Sequence, residues 1–210
     1  MTRETILLLG AGGHARACID VIEQEGRFTV TGLVGLRDEI GSCVFGYPVL
    51  ASDADLSDLL TDFEHVLVAV GQIKTPLPRI RLFNLLQQAG SSTPTIVSPL
   101  AHVSPHASVG PGTIVMHGAI VNAGAVVGRN CIINSHALVE HDAVIADHCH
   151  IATSAAINSG VHVGTGTFIG SNTSIRQCVE IGEQCVIGMG QRVLNNCDAG
   201  VCLPKDKKLF

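Results

Sequence analysis

The chain has 210 residues, 46% hydrophobic and 15% charged, with 13 Lys+Arg against 18 Asp+Glu and a formal charge of −5. That apolar content excludes a disordered chain, and the acidic balance argues against a nucleic-acid footprint or a polybasic membrane patch. No apolar run approaches the roughly 20 residues that span a bilayer, and the start Met1-Thr-Arg-Glu lacks the apolar run of a secretory signal, so the expected location is the cytoplasm.

The first half alternates strand and helix signals. Thr5–Leu9 reads as a buried strand, Gly10-Ala-Gly-Gly13 as a tight turn, and His14–Gln24 as a helix with an apolar stripe at Ala17, Cys18, Val21 and Ile22. Strands follow at Val30–Val34 and His65–Val70, with helices near Asp55–Leu60 and Pro78–Ala89, the last closed by Gly90. The β-α-β-α-β-α order predicts a parallel sheet covered on both faces, whose ligand binds beyond the carboxyl ends of the strands. Gly10-x-Gly12-Gly13, between a strand and a helix, offers backbone N–H groups and a positive helix end to a phosphate. It lacks the third Gly of the dinucleotide fingerprint, and Val34-Gly35-Leu36 stands where that fingerprint places an acid, so NAD is not the expected ligand. A nucleotide-sugar or other phosphate ligand and a purely structural turn both remain. The boundary between halves falls near Pro94–Pro99, giving domains 1–93 and 94–210.

The second half is a repeat. Every sixth residue from Val97 to Val193 is Val or Ile, seventeen in succession, and four residues after each comes a small one at every place except Gln191. A period of six fits neither a helix nor a plain strand. It fits a hexapeptide β-helix, in which three hexapeptides make a triangular coil of 18 residues, the Val/Ile fill the prism and the small residues sit at its corners. The run gives five to six coils, a prism roughly 25 Å tall at the usual strand spacing. An all-β prism of this kind suits the single Tyr, the absent Trp and the 23 Gly. The eight Cys form no CxxC pair, as expected of reduced thiols. Cys131, Cys149, Cys185 and Cys197 all fall at the small inward position, where a thiol serves as a small apolar side chain.

Eight of the ten His lie on the repeat. Asn134-Ser-His-Ala-Leu-Val-Glu-His-Asp142 stands apart because it gathers two His, two carboxylates and an amide within half a coil. His141, two places after inward Val139, projects outward, and Asp142 next to it can orient the ring and stabilise its cation, the composition of a general base. One coil further, the backbone N–H groups of Ser159 and Gly160 are candidates for a developing oxyanion.

Gly10-Ala-Gly-Gly-His14, Gly46-Tyr-Pro-Val-Leu50, Val68-Ala-Val-Gly71 and Ile133-Asn-Ser-x-Ala-x-Val-Glu-His-Asp142, in that order and spacing, resemble the NeuD/PglD-type family of sialic acid O-acetyltransferases and bacterial nucleotide-amino-sugar N-acetyltransferases. The resemblance runs over nearly the whole chain. It implies a small Rossmann-like parallel-sheet domain that holds a nucleotide-linked sugar, followed by a left-handed parallel β-helix that trimerises and binds acetyl-CoA between neighbouring prisms. Carried onto matching positions, it makes His141 the base and Asp142 its partner. It places Gly12, Gly13 and His14 at the acceptor's phosphate or sugar, Asn134 in the acceptor pocket, and His150 near the donor thioester beside Ser159 and Gly160. It calls for no metal.

Three positions depart from the family pattern. Gly35 and Leu36 replace acidic residues that contact the nucleotide base, with Asp38 the nearest carboxylate. The chain ends Leu203-Pro-Lys-Asp-Lys-Lys-Leu-Phe210 in place of a Gly-x-Pro-Ala segment that packs on CoA, which leaves the lysines to meet CoA phosphates. Ser159 stands where relatives commonly have Gly. N-acetylation of a nucleotide-linked amino sugar in bacterial surface-glycan biosynthesis is favoured, with O-acetylation of a sialic-acid-like sugar as the alternative. Two further readings stay open: a carbonic-anhydrase-like zinc lyase using His136 and His141, and a non-catalytic trimeric scaffold.

Overall fold

The apolar run near the start forms β1 (Glu4–Leu9), whose Ile6 to Leu9 are completely buried in the computed structural model, which describes residues 3–203 without the side chains of residues 57 and 58. β1 pairs in parallel with β2 (Phe28–Gly35) on one side and β5 (His65–Val68) on the other. A hairpin of β3 (Cys43–Val44) and β4 (Tyr47–Ser52) extends the sheet, because β4 also pairs in parallel with β2, giving the order β3-β4-β2-β1-β5. The sheet is therefore mixed. Strand β4 escapes the sequence reading because Pro48 and Gly46 read as turn residues; Pro48 lies where β4 faces the two-residue β3 at the sheet edge, a place that tolerates a missing N–H.

Helices α1 (Gly13–Glu25), α2 (Leu56–Leu59) and α3 (Leu77–Ala89) complete this unit. The α1 stripe differs from expectation: Ala17 is exposed, and Ala15, Cys18, Ile19 and Ile22 form the buried i, i+3, i+4, i+7 row with Val21 beside it. Gly26 ends α1 in the left-handed conformation, its N–H donating to the Ile22 carbonyl at 3.0 Å.

From β6 (Ile96–Val97) to β23 (Cys202–Leu203) the chain makes two-residue strands only, arranged in three parallel sheets of six, five and seven strands. Each strand pairs with the strand one coil on, as Val121 with Val139 and Val139 with Ile157. The inner residues of these strands, with the small residues four places later, make one continuous core along the prism. Burial of each Val or Ile there contributes about 1.5–3 kcal/mol. A third series, three residues after each aliphatic, takes positive φ at every corner from Gly112 to Gly190. Glycine fills six of these corners, and Asn130, His136, Asp142, His148, Ser154, Asn172, Cys178 and Gln184 fill the others.

The period breaks once. Cys197 bridges to Ile181, so it occupies an aliphatic slot and not the small corner slot expected of it. Two residues are missing from that last coil, and the Asn196 side chain supplies the acceptor for the Glu180 N–H at 3.0 Å. Cys131, Cys149 and Cys185 do sit buried in the small inward position.

The chain divides into two units, one running to Gly71 and again over Leu77–Ile96, the other comprising Gln72–Pro76 and the chain from Val97. Gln72–Pro76 thus travels with the β-helix, although it lies well before the boundary near residue 94 read from the sequence. No helix among the described residues is long and apolar enough to cross a membrane. The lysines at positions 205, 207 and 208 lie outside the described residues.

Candidate functional site

The exposed corner after β13 (Leu138–Val139) carries Glu140, His141 and Asp142 before the chain enters β14 (Val144–Ile145). Val139, Ala143 and Ile145 point into the prism, which turns the three polar side chains outward. Asp142 takes the left-handed conformation with φ 61°, which aspartate tolerates better than most residues. In that conformation its Oδ2 lies 2.9 Å from His141 Nδ1. A carboxylate only accepts, so Nδ1 carries the proton of this bond, which leaves Nε2 as the ring nitrogen able to take one. The side chains are 59% and 72% exposed, so the pair is open to a substrate.

The coil below supports this corner. Asn122 Nδ2 donates to Glu140 Oε2 at 3.0 Å, and the same oxygen accepts the His141 backbone N–H at 3.1 Å. The coil above meets it too, since the Gly160 N–H donates to the His141 carbonyl at 3.2 Å. Gly160 is therefore engaged in holding coils together, whereas the Ser159 N–H enters no backbone pairing among the described residues.

Asn134 stands at a different corner, after β12 (Ile132–Ile133) of the seven-stranded sheet, whereas β13 belongs to the six-stranded one. Its Nδ2 is 3.1 Å from Nε2 of His150, and its Oδ1 accepts the Ser135 N–H at 2.8 Å. His150 Nδ1 lies 2.6 Å from the Gln72 carbonyl, and the ring stands edge-on to Phe168 at 5.2 Å. A carbonyl accepts only, so Nδ1 holds the proton, Nε2 accepts from Asn134, and this buried imidazole is neutral. Its ring nitrogens serve to fix Asn134 and the Gln72 segment. The sequence gives no sign of the Gln72 contact, because nothing marks that residue as part of the prism.

The remaining expected residues belong to the other unit. Gly10 is required by its surroundings: φ is +127°, and a Cβ there would lie 2.9 Å from the Ala69 carbonyl carbon. Gly12 and Gly13 are different, since a Cβ on either would meet nothing within 4 Å. They leave an open cradle before α1, whose N-cap Gly12 has no capping side chain and whose first turn holds no acid. His14 follows, half-buried, with its Cβ 3.5 Å from where a Cβ on Gly71 would stand. At the end of β2, Glu39, not Asp38, brings a carboxylate back: its Oε2 accepts the Leu36 N–H at 2.7 Å. A Cβ on Gly35 would lie 2.7 Å from that oxygen and 3.1 Å from the Ala11 side chain, so Glu39 and the Gly-rich turn flank the same strand end.

The expected residues fall into three groups. His141 and Asp142 share a corner, Asn134 and His150 pair elsewhere on the prism, and Gly12, Gly13 and His14 lie in the other unit. A groove of about 610 Å³ runs along the five-stranded sheet past His162, Glu180 and Asp198, and none of the expected residues lines it. His136 and His141 occupy different corners, and among the described residues no three His, Cys, Asp or Glu side chains gather in a metal-binding group.

The model of the PglD N-terminal domain family matches residues 5–84. No curated protein matches the chain in sequence. Among solved structures, PerB from Caulobacter crescentus, in complex with CoA and GDP-perosamine, is 31% identical with a TM-score of 0.88, over 94% of this chain and 92% of that one. A single-residue variant of perosamine N-acetyltransferase from the same organism, also with CoA and GDP-perosamine, is 30% identical with a TM-score of 0.88 over the same shares. The acetyltransferase domain of PglB from Neisseria gonorrhoeae FA1090, in complex with acetyl coenzyme A, is 27% identical with a TM-score of 0.87, over 96% of each chain. The fold is accordingly a small N-terminal sheet domain followed by a left-handed β-helix.

Proposed function

The chain belongs to the PglD/NeuD-type family of nucleotide-sugar acetyltransferases, and from that premise we propose that it moves the acetyl group of acetyl-CoA onto the amine of a nucleotide-linked amino sugar in bacterial surface-glycan biosynthesis. The observation that carries the reading is the exposed His141–Asp142 pair, its Nδ1 and Oδ2 2.9 Å apart. The amine nitrogen attacks the thioester carbonyl carbon while His141 Nε2 takes its proton, and Asp142 stabilises the imidazolium. Collapse of the tetrahedral intermediate breaks the C–S bond, and the proton on Nε2 passes to the departing CoA sulfur. No covalent enzyme intermediate is required.

The oxyanion is assigned to the Ser159 N–H, since Gly160 already donates to His141. Gly160 contributes by fixing the corner. Asn134 lines the acceptor pocket, and His150 acts near the acetyl donor by holding Asn134 in place. The acceptor's phosphate rests at the α1 terminus, in the open space beside Gly12 and Gly13 with His14 next to it, where the helix dipole favours an anion.

Because one prism sets Asn134 and His150 at a different corner from His141 and Asp142, the working enzyme is a homotrimer in the cytoplasm, with each site completed between subunits. Ile120 and Val126, exposed on the outer faces of neighbouring sheets, supply the apolar surface such contacts bury. N-acetylation is preferred to O-acetylation because the perosamine enzyme of Caulobacter crescentus, 30% identical over 94% of this chain, is an N-acetyltransferase. The test is His141→Ala: turnover falls by at least about 10²-fold while the trimer persists. Turnover equal to the parent would remove His141 from the chemistry.

A further inference from the structure

We propose that Asn122 and Gly124, on the coil beneath the base, are positioning residues that set the His141–Asp142 geometry. The proposal rests on the reading of His141 as the base. Its evidence is the stacking of one corner on the next.

Gly124 occupies the same left-handed slot as Asp142 one coil earlier, with φ +75°. The Asp142 carboxylate lies directly over it: a Cβ built on Gly124 would stand 2.4 Å from Asp142 Oδ1 and 3.4 Å from its Cγ. No real Cβ tolerates the first distance. The clashing atom is the far end of a side chain, so an alanine at 124 is accommodated by swinging the carboxylate away. That movement relieves the fold and breaks the bond from Oδ2 to His141 Nδ1. Asn122, two residues before, acts through Glu140. Its Nδ2 holds Glu140 Oε2 at 3.0 Å, the oxygen that accepts the His141 N–H at 3.1 Å. The lower coil thus anchors the histidine backbone through Glu140 and, at Gly124, leaves the space that the Asp142 carboxylate fills.

Gly118 provides a matched control at another corner. It has φ +68°, and a Cβ there would stand 2.5 Å from His136 Nδ1. An alanine at 118 imposes the same backbone strain and the same displacement of a stacked side chain, but at the corner of Asn134, where a disturbance is read in the acceptor KM and not at the base.

The experiment measures kcat, acceptor and donor KM, the pH–rate profile and thermal unfolding for Gly124→Ala, Gly118→Ala, Asn122→Ala, Asp142→Gly and the Gly124→Ala/Asp142→Gly pair, with His141→Ala alongside. Gly124→Ala should lower kcat by about 10-fold or more with both KM values within about twofold, the pattern of a lost transition-state interaction. The acid side of its pH–rate profile should move as it does in Asp142→Gly. Gly118→Ala should lose as much thermal stability with kcat within about twofold of the parent. In the Asp142→Gly background, where no carboxylate remains to be displaced, Gly124→Ala should change kcat by less than about twofold. Asn122→Ala, which strains no backbone, should lower kcat with the unfolding midpoint unchanged, so the proposal stays testable if Gly124→Ala does not fold. Equal kcat losses in Gly124→Ala and Gly118→Ala, full additivity with Asp142→Gly, or parental kcat in Asn122→Ala would overturn the assignment. If His141→Ala itself retains turnover, the base reading falls first; if His141→Ala is inactive while the Gly124 and Asn122 variants match the parent, only the positioning proposal falls.

Discussion

Replacing Asp142 by Asn is the cleanest single perturbation of the proposed base. Asparagine tolerates the left-handed conformation that Asp142 adopts at φ 61°, so the corner keeps its backbone and only the charge is removed. Both partners are more than half exposed, and in the free enzyme such a pair contributes at most about 1 kcal/mol to stability. In the proposed reaction catalysis feels more, because acceptor and donor would cover the pair as the imidazolium forms. For charges about 4 Å apart the attraction rises from about 1 kcal/mol in water to about 4 kcal/mol at the effective dielectric of a covered surface. The expected loss in kcat is therefore between about 5-fold and about 10³-fold, with unfolding unchanged within about 0.5 kcal/mol. The assay is release of free CoA thiol at saturating acetyl-CoA and acceptor, with thermal denaturation in parallel. A kcat within twofold of the parent would refute the view that the carboxylate supports the base; a collapse in stability would show Asp142 to be a fold residue.

The Gly-rich turn separates two kinds of glycine. Gly10→Ala, with φ +127° and backbone 2.9 Å from the new Cβ, should destabilise by about 2–4 kcal/mol in denaturant titration, whereas Gly12→Ala should leave stability within about 0.5 kcal/mol and raise the acceptor KM by filling the cradle. His14→Ala should raise the acceptor KM more than the acetyl-CoA KM, and a donor-selective defect would contradict its placement. Burial pushes the Cys18 thiol from 9.0 up to about 12, with Arg79 opposing the shift. The folded state thus keeps a proton that the unfolded chain releases, so the Cys18 contribution is complete below about pH 9 and declines by about 1.4 kcal/mol per pH unit above it. Denaturant midpoints between pH 8 and pH 11 should accordingly fall less steeply for Cys18→Ala than for the parent, and parallel curves would count against the argument. Exposed Cys43 should be alkylated in the native protein under conditions that leave buried Cys131 and Cys149 unmodified, burial holding Cys149 well above the ordinary thiol range.

The prism was legible in the sequence because one physical demand, an aliphatic side chain at every inward position, repeats every six residues without interruption from Val97 to Val193. Extrapolation failed where the repeat ends: the two residues missing before Cys197 change its slot, and only the pairing with Ile181 reveals it. The α/β unit was legible in its long apolar strands but not in β4, where Pro48 masks a strand that pairs through its other residues. The pair proposed as base and partner was readable as a candidate from local composition, since His141 and Asp142 are adjacent, and their side chains lie 2.9 Å apart. Asn122, Gly124, Gln72 and Glu39 were not, because each acts on a residue remote in sequence or through a returning side chain, and no short motif records such a contact. The corner series of Gly, Asn, His and Asp three residues after each aliphatic was the signal that could have pointed to Gly124.

The most direct test of acetyl transfer to a nucleotide-linked amino sugar is mass spectrometry of the products formed when purified protein meets acetyl-CoA and a panel of UDP-, GDP- and CMP-linked amino and sialic-type sugars. The account predicts that an amino-sugar member gains one acetyl group, on nitrogen, and that the gain vanishes with His141→Ala. Acetylation on oxygen, or no transfer to any amino-sugar member while acetyl-CoA binds, would contradict it.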